Sequence, residues 1–173
     1  KQGLELAARD LNTIALAEDG NHLTIDGDKL EGADISEEDR KAFVAFNKQM
    51  LKFCKLLAGA FNRRAPKLVE GNLTDRVTLA KLGLGMKMLG KEDMSDLMRL
   101  ALINIYDVME ENFDNQLLKG AISLDSLLGS HMGPRSPNTV YGYLYRRMAD
   151  IFGFKGQAVV KGGMGALGQA TAH

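Results

Sequence analysis

Six apolar residues set the shape of this chain. Phe43, Phe46, Met50, Phe53, Leu57 and Phe61 recur at steps of three and four. On a helix of about 3.6 residues per turn that spacing keeps them on one face, so the run has to bury a long stripe against other elements. Ser36-Glu37-Glu38-Asp39 stands just ahead of it. A serine can accept a hydrogen bond from the free N–H groups of a first turn, and acids suit the positive end of the helix dipole. Pro66 disfavours helix in the residue before it, so the helix is expected to end near Arg63-Arg64-Ala65. Arg40, Lys41, Lys48, Lys52 and Lys55 fall mostly off the stripe. They read as a solvated face, or as the basic face of a helix lying on a membrane surface.

Further helices follow. Asn72-Leu73-Thr74-Asp75 opens one that carries Val77, Leu79, Leu82, Leu84, Met86, Met88 and Leu89 and closes at Gly90. Its apolar positions go round more than one face, as in a buried core helix. Gly83 and Gly85 each cost about 1 kcal/mol relative to alanine in a helix interior, so they point to a tight contact or a bend. Met86 and Met88 beside them could wall a pocket. Residues 91–102, 104–113 and 116–128 continue the helical pattern, the last closing at Gly129. Ser136 as cap with Pro137 at the first helical position starts another. Tyr141, Leu144, Tyr145, Met148 and Ile151 share one of its faces.

Only the two ends read as strand. Residues 11–17 and 22–26 flank Glu18-Asp19-Gly20-Asn21, a hairpin turn signal because glycine tolerates positive φ. A two-stranded ribbon of this size is not stable alone, so it is expected to lie on something else or to extend a sheet. Near the other end, Ala158-Val159-Val160 leads into Gly162-Gly163-Met164-Gly165-Ala166-Leu167-Gly168 and then residues that start a helix. The expected class is therefore mainly α with some β (α+β). It divides into a β segment over 1–32 and a helical part over 33–173 that ends in the glycine-rich turn, together one domain.

Gly163, Gly165 and Gly168 satisfy G-x-G-x-x-G. A dinucleotide fingerprint also needs a following helix, a second parallel strand and an acid about 20 positions on, and the full set does not fit before His173. A phosphate loop would need Lys and then Ser or Thr after Gly168, where Gln169 and Ala170 stand. What remains is a turn suited to close backbone approach.

Composition excludes several classes. Lys+Arg and Asp+Glu both total 22, and the zero balance argues against nucleic acid as a partner. Cys54 is the single cysteine, so no intramolecular disulfide can form. It lies on an apolar helical face and is expected to be buried and inert. His22, His131 and His173 show no metal-ligand spacing, so no metal site is expected. No acid, base or nucleophile forms a catalytic constellation. No apolar run approaches the ~20 residues of a membrane span and no signal peptide is visible. The expected location is cytoplasmic, with peripheral membrane contact as a further expectation. Lys1 is not a start methionine, and the chain reads as a piece of a longer protein. Nine methionines and no tryptophan suit either gap-filling in a helical core or a surface that adapts to apolar ligands.

The glycine turn resembles one found in carotenoid-desaturase-like, phytoene-dehydrogenase-related FAD/NAD(P)-dependent oxidoreductases. There, Gly-Gly-Met-Gly-Ala-Leu followed by a helix lies where the substrate domain returns to the flavin domain. The likeness extends over the last ~70 residues. Residues 104–113 resemble the family's short acidic helix ending in an aromatic. Leu117-Leu118-Lys119-Gly120-Ala121 followed by 130–138 resembles its helix, glycine and Ser-Pro loop. Where Tyr143-Leu144-Tyr145-Arg146 stands, relatives often carry aliphatic residues or histidine.

This resemblance implies the helical substrate-binding domain of a two-domain flavoenzyme acting on an apolar substrate. FAD would sit in the full-length parent, with none expected in this chain, which would be inactive alone. Its partners would be its own FAD-binding domain and an apolar small molecule, with self-association into a homodimer through the face the flavin domain would cover. Gly162, Gly163 and Gly165 inherit a place near the flavin. Met86, Met88, Met132, Tyr141, Tyr145 and Met164 are the candidate substrate-binding residues. The alternative from a different class is a non-enzymatic helical module that binds a lipid or a partner protein.

Overall fold

The computed structural model describes residues 3–32, 34–61, 64–67 and 69–172. The phenylalanine stripe forms the axis of the core. Helix α1 spans Glu37–Phe61, and Ser36 Oγ accepts the Asp39 N–H at 3.0 Å, so serine does cap it. Phe43, Phe46, Met50 and Phe53 are buried, together with Cys54, while Phe61 at the far end is half exposed. Of the expected end at Arg63-Arg64-Ala65, Arg63 lies outside the described residues, and Arg64 and Ala65 are not helical.

Three helices close around that stripe. They are α4 (Ile105–Asn112), α5 (Gln116–Leu127) and α6 (Thr139–Arg147). Ile105, Val108, Met109, Leu118, Ile122, Val140 and Leu144 bury themselves against it. Phe113 sets its ring edge-on to Phe46 at 5.5 Å, and Phe46 packs on Tyr143 at 5.7 Å. Asparagines start two of these helices. Asn104 accepts the Asp107 N–H at 2.8 Å, and Asn115 accepts the Leu118 N–H at 2.9 Å. A single 3-10 turn, Met148–Phe152, continues α6.

The expected start of α6 needs correction. Ser136 and Pro137 lie in a turn ahead of the helix, which begins at Thr139 after Asn138 adopts a left-handed φ of 65°. Ser136 Oγ accepts the Gly133 N–H instead of serving the helix. Thr139 is recruited across the fold: its hydroxyl accepts the Ile105 N–H at 2.8 Å and so helps cap α4.

Helix α2 (Leu73–Met88) starts on a reciprocal cap, Asn72 accepting from Asp75 N–H and Asp75 from Asn72 N–H. It does not behave as a core helix. Asp75 is its buried residue, and Leu73, Val77, Leu84 and Met88 are exposed. It meets α1 at Gly85, where a Cβ would come within 2.6 Å of Leu56 Cδ1. Gly85 is thus a close-approach glycine, while Gly83 faces open space. Gly90 turns the chain at φ 90° into α3 (Lys91–Leu100).

The N-terminal segment is richer than a hairpin. The Asp19-Gly20 turn does join two antiparallel strands, β2 (Thr13–Ala15) and β3 (Leu23–Asp26), but β3 turns again into β4 (Lys29–Gly32). The resulting meander lies on the helices and sends Leu23 and Leu30 into the core. Ahead of it, β1 (Leu6–Leu11) is a strand that no alternation announced. It pairs antiparallel with β5 (Gln157–Val160), Leu6 opposite Val160 and Leu11 opposite Gln157, with bulges between. The segments before the meander and after the helices therefore run side by side. The expected C-terminal strand leads, as read, through the glycine turn into α7 (Gly163–Thr171), which packs on β5 and buries none of its residues.

Candidate functional site

A cleft of about 790 Å³ opens where the helices meet the two small sheets. One wall comes from the ends of α1 and α6, through Phe61 and Tyr145. Their rings lie 5.9 Å apart. Further lining comes from the connection into β5, through Phe152 and Phe154, and from Leu11 and Ile25 of the sheets. Ile122 and Met148 line the cleft from the helical side. Arg9 lies over the Phe154 ring at 4.7 Å and donates to the Gly153 carbonyl at 2.7 Å, which fixes that connection.

The polar side is built on the end of α6. Arg147 is engaged through Nε and Nη1. It meets Asp150 at 2.7 Å, donates to Asn47 Oδ1 and to Tyr143 Oη, each at 3.3 Å, and lies beside the Tyr143 ring. Asn47 is buried and donates onward to Asp28 at 3.0 Å. Burial pushes the Asp150 carboxyl above the usual range despite the opposing pull of Arg147. Burial likewise raises the Tyr143 phenol to about 12. Arg146 meets Asp125 at 3.2 Å, and its Nε is buried without a hydrogen-bond partner. Lys155 is exposed at the mouth, its backbone N–H held by Asp10 at 2.8 Å.

This arrangement can bind and orient. Both carboxylates in the cleft are held by arginines, so neither stands free as a base. Cys54 lies in the core, its thiol pushed up to about 12 by burial and donating to the Leu144 carbonyl. His22 is engaged locally, its Nδ1 accepting the Ala17 N–H, and His131 is exposed in the loop after α5. His173 lies outside the described residues. Among the described residues, no three His, Cys, Asp or Glu side chains gather as metal ligands.

The structure brings some sequence-derived candidates together and separates others. Tyr141 and Tyr145 both pack on Phe61, at 6.2 and 5.9 Å, and Tyr145 lines the cleft. Gly162, Gly163, Met164 and Gly165 sit together at the start of α7. Gly162 and Gly163 use positive φ of 84° and 71°, and Met164 is 74% exposed. Met86 and Met88 lie on α2, Met88 being 79% exposed, and Met132 lies in the loop before α6. None of these four methionines lines the cleft. Sequence reasoning passed over Phe61 as a site residue, and with it Arg146, Arg147, Asp125, Asp150 and Lys155. The available signal was the arginine pair closing an aromatic helix, with an acid three residues beyond Arg147.

No family model matches the chain, and no solved structure matches it. Curated proteins do match, among them two of the same name. One is the mouse (Mus musculus) pyridine nucleotide-disulfide oxidoreductase domain-containing protein 2. It is 26% identical over 191 aligned positions, covering 99% of this chain and 33% of the mouse protein. The other is the rat (Rattus norvegicus) protein of the same name, 33% identical over 69 residues, or 39% of this chain and 12% of the rat protein. The chain spans about a third of the length of the mouse relative it matches. These likenesses support an oxidoreductase-related domain of a general kind, and they reach neither a phytoene-dehydrogenase-like membership nor a substrate.

Proposed function

We propose that this chain is the substrate-side domain of a flavin-dependent oxidoreductase of the phytoene-dehydrogenase-like type, acting on a largely apolar substrate. The observation that carries the reading is the β1–β5 ribbon. Through it the segments flanking the helical body lie side by side, the geometry of a unit set into a larger protein. The glycine turn stands at the end of that ribbon. The mouse relative, three times as long and named for an oxidoreductase domain, matches nearly the whole chain.

In this reading the partner is a flavin domain elsewhere in the same polypeptide. Gly163 and Gly165 face open space, where a Cβ would touch nothing within 4 Å. A planar ring system could approach the backbone there, so the turn fits a wall against a flavin. Its strand–turn–helix unit, β5 to α7, stands in an antiparallel ribbon with β1, unlike the parallel sheet of a dinucleotide cradle. Flavin, when bound, supplies the redox chemistry by accepting or returning a hydride. This chain's residues do the rest: Phe61, Tyr145, Phe152 and Phe154 hold an apolar body, exclude water and set its orientation.

The test compares two purified proteins, the polypeptide encoded by the whole native reading frame and the 173-residue chain alone. Stoichiometric flavin absorbance is expected in the first and none in the second. A native polypeptide without flavin, or stoichiometric flavin on the short chain, would overturn the reading.

A further inference from the structure

We propose that the cleft at the end of α6 is a binding site for an amphipathic carboxylate, its apolar body on the aromatic walls and its head at Arg146 and Lys155. Calling that ligand a substrate rests on the proposed function; the binding itself does not. The volume of about 790 Å³ suits a lipid-sized molecule. The charges decide its character. Three cations and two carboxylates line the cleft. Asp150 is committed to Arg147, and Asp125 to Arg146. Arg147 also serves Asn47 and Tyr143 through Nη1. Arg146 has Asp125 as its one ion-pair partner among the described residues, and Lys155 Nζ has none. Lys155 is thus the lining cation left without an ion-pair partner among the described residues.

A wholly uncharged hydrocarbon laid across the cleft would strip water from Arg146 and Lys155 and return no acceptor, which is costly for charged groups. A carboxylate returns charge-assisted acceptors and matches the charge of the single unpaired lysine. A phosphate monoester, at about −1.5 to −2, would exceed it.

The experiment is calorimetric titration of the purified 173-residue chain with a medium-chain fatty acid, the matching fatty alcohol and the matching alkyl phosphate, each below its micelle concentration. The acid should bind saturably and at least about tenfold tighter than the alcohol. Lys155→Gln should weaken the acid by about tenfold and leave the alcohol unchanged. This variant keeps the fold, because Lys155 is exposed and its backbone hydrogen bond survives. Lys91→Gln, on a helix away from the cleft, should change neither. Equal affinities for acid and alcohol, no binding, tighter binding of the phosphate, or a Lys155→Gln variant that binds the acid as before would each overturn the proposal. If the acid fails to bind while the native polypeptide carries flavin, the head-group assignment fails and the oxidoreductase reading survives. If the acid binds and no flavin is found, the reverse holds.

Discussion

The carboxylate of Asp39 accepts the backbone N–H of Asn115 at 3.0 Å, across 76 positions of sequence, and its other oxygen takes the N–H of Asp114 at 2.9 Å. The first turn of α1 thereby pins the connection between α4 and α5, and Asp39 is only 4% exposed. Asp39→Ala would leave two backbone donors without acceptors in a crowded place. The expected loss is about 3 kcal/mol, read as a lower urea midpoint at unchanged slope. Asp39→Asn keeps one acceptor and should lose about half as much. A loss under about 0.5 kcal/mol in Asp39→Ala would show that the pin contributes nothing.

Alkaline pH should destabilise the fold through Tyr143. Burial raises its phenol from 10.0 to about 12, so at high pH the unfolded chain releases a proton that the folded chain keeps. Its contribution is complete below about pH 10 and is lost as the pH rises towards 12, about 3 kcal/mol in all. Cys54, raised from 9.0 to about 12, acts in the same direction from a lower starting pH. Urea midpoints measured between these limits should fall steadily. In Tyr143→Phe the fall should be shallower, whatever the variant's stability at neutral pH. Parallel slopes would contradict the assignment.

Cys54 offers an independent probe of the core. Only the thiolate attacks a thiol reagent, and this thiol is fully buried and held protonated. At neutral pH, labelling should be negligible in the folded chain and should rise with urea along the unfolding curve. Fast labelling without denaturant would mean that the α1–α6 contact opens readily.

Periodic features were legible, and contacts made at long range were not. The stripe from Phe43 to Phe61 predicts α1 because one period governs the whole run, and Asn72 announces α2 because its cap is local. β1 carries two bulges and finds its partner at the other end of the chain, so its residues show no alternation to read. Ser136-Pro137 obeys a local rule that tertiary structure overrides, because Thr139 is needed at the start of α4. The place of Tyr145 along the cleft is readable from its position on an apolar helix face. The charged side of the cleft is not, since Asn47 meets Arg147 across 100 positions and Asp125 meets Arg146 from a separate helix. The exposed side of α2 inverted expectation: apolar residues all round a helix did not bury it.

Three helical glycines separate propensity from packing. In an exposed helix interior, glycine costs about 1 kcal/mol relative to alanine. At Gly83 a Cβ would meet nothing within 4 Å, so Gly83→Ala should raise stability by up to that amount. At Gly142 a Cβ would lie 2.5 Å from the Ser126 carbonyl oxygen, where α5 and α6 touch. Backbone cannot yield as a side-chain tip can, so Gly142→Ala must push the two helices apart. The expected loss is about 1–3 kcal/mol despite the better helix propensity. Gly85→Ala falls between, since its obstacle is the tip of Leu56, which can rotate away. The order of thermal midpoints should therefore be Gly83→Ala above Gly85→Ala, and Gly85→Ala above Gly142→Ala. A Gly142→Ala variant as stable as the parent would show that α5 and α6 do not approach as closely as the Ser126 contact requires.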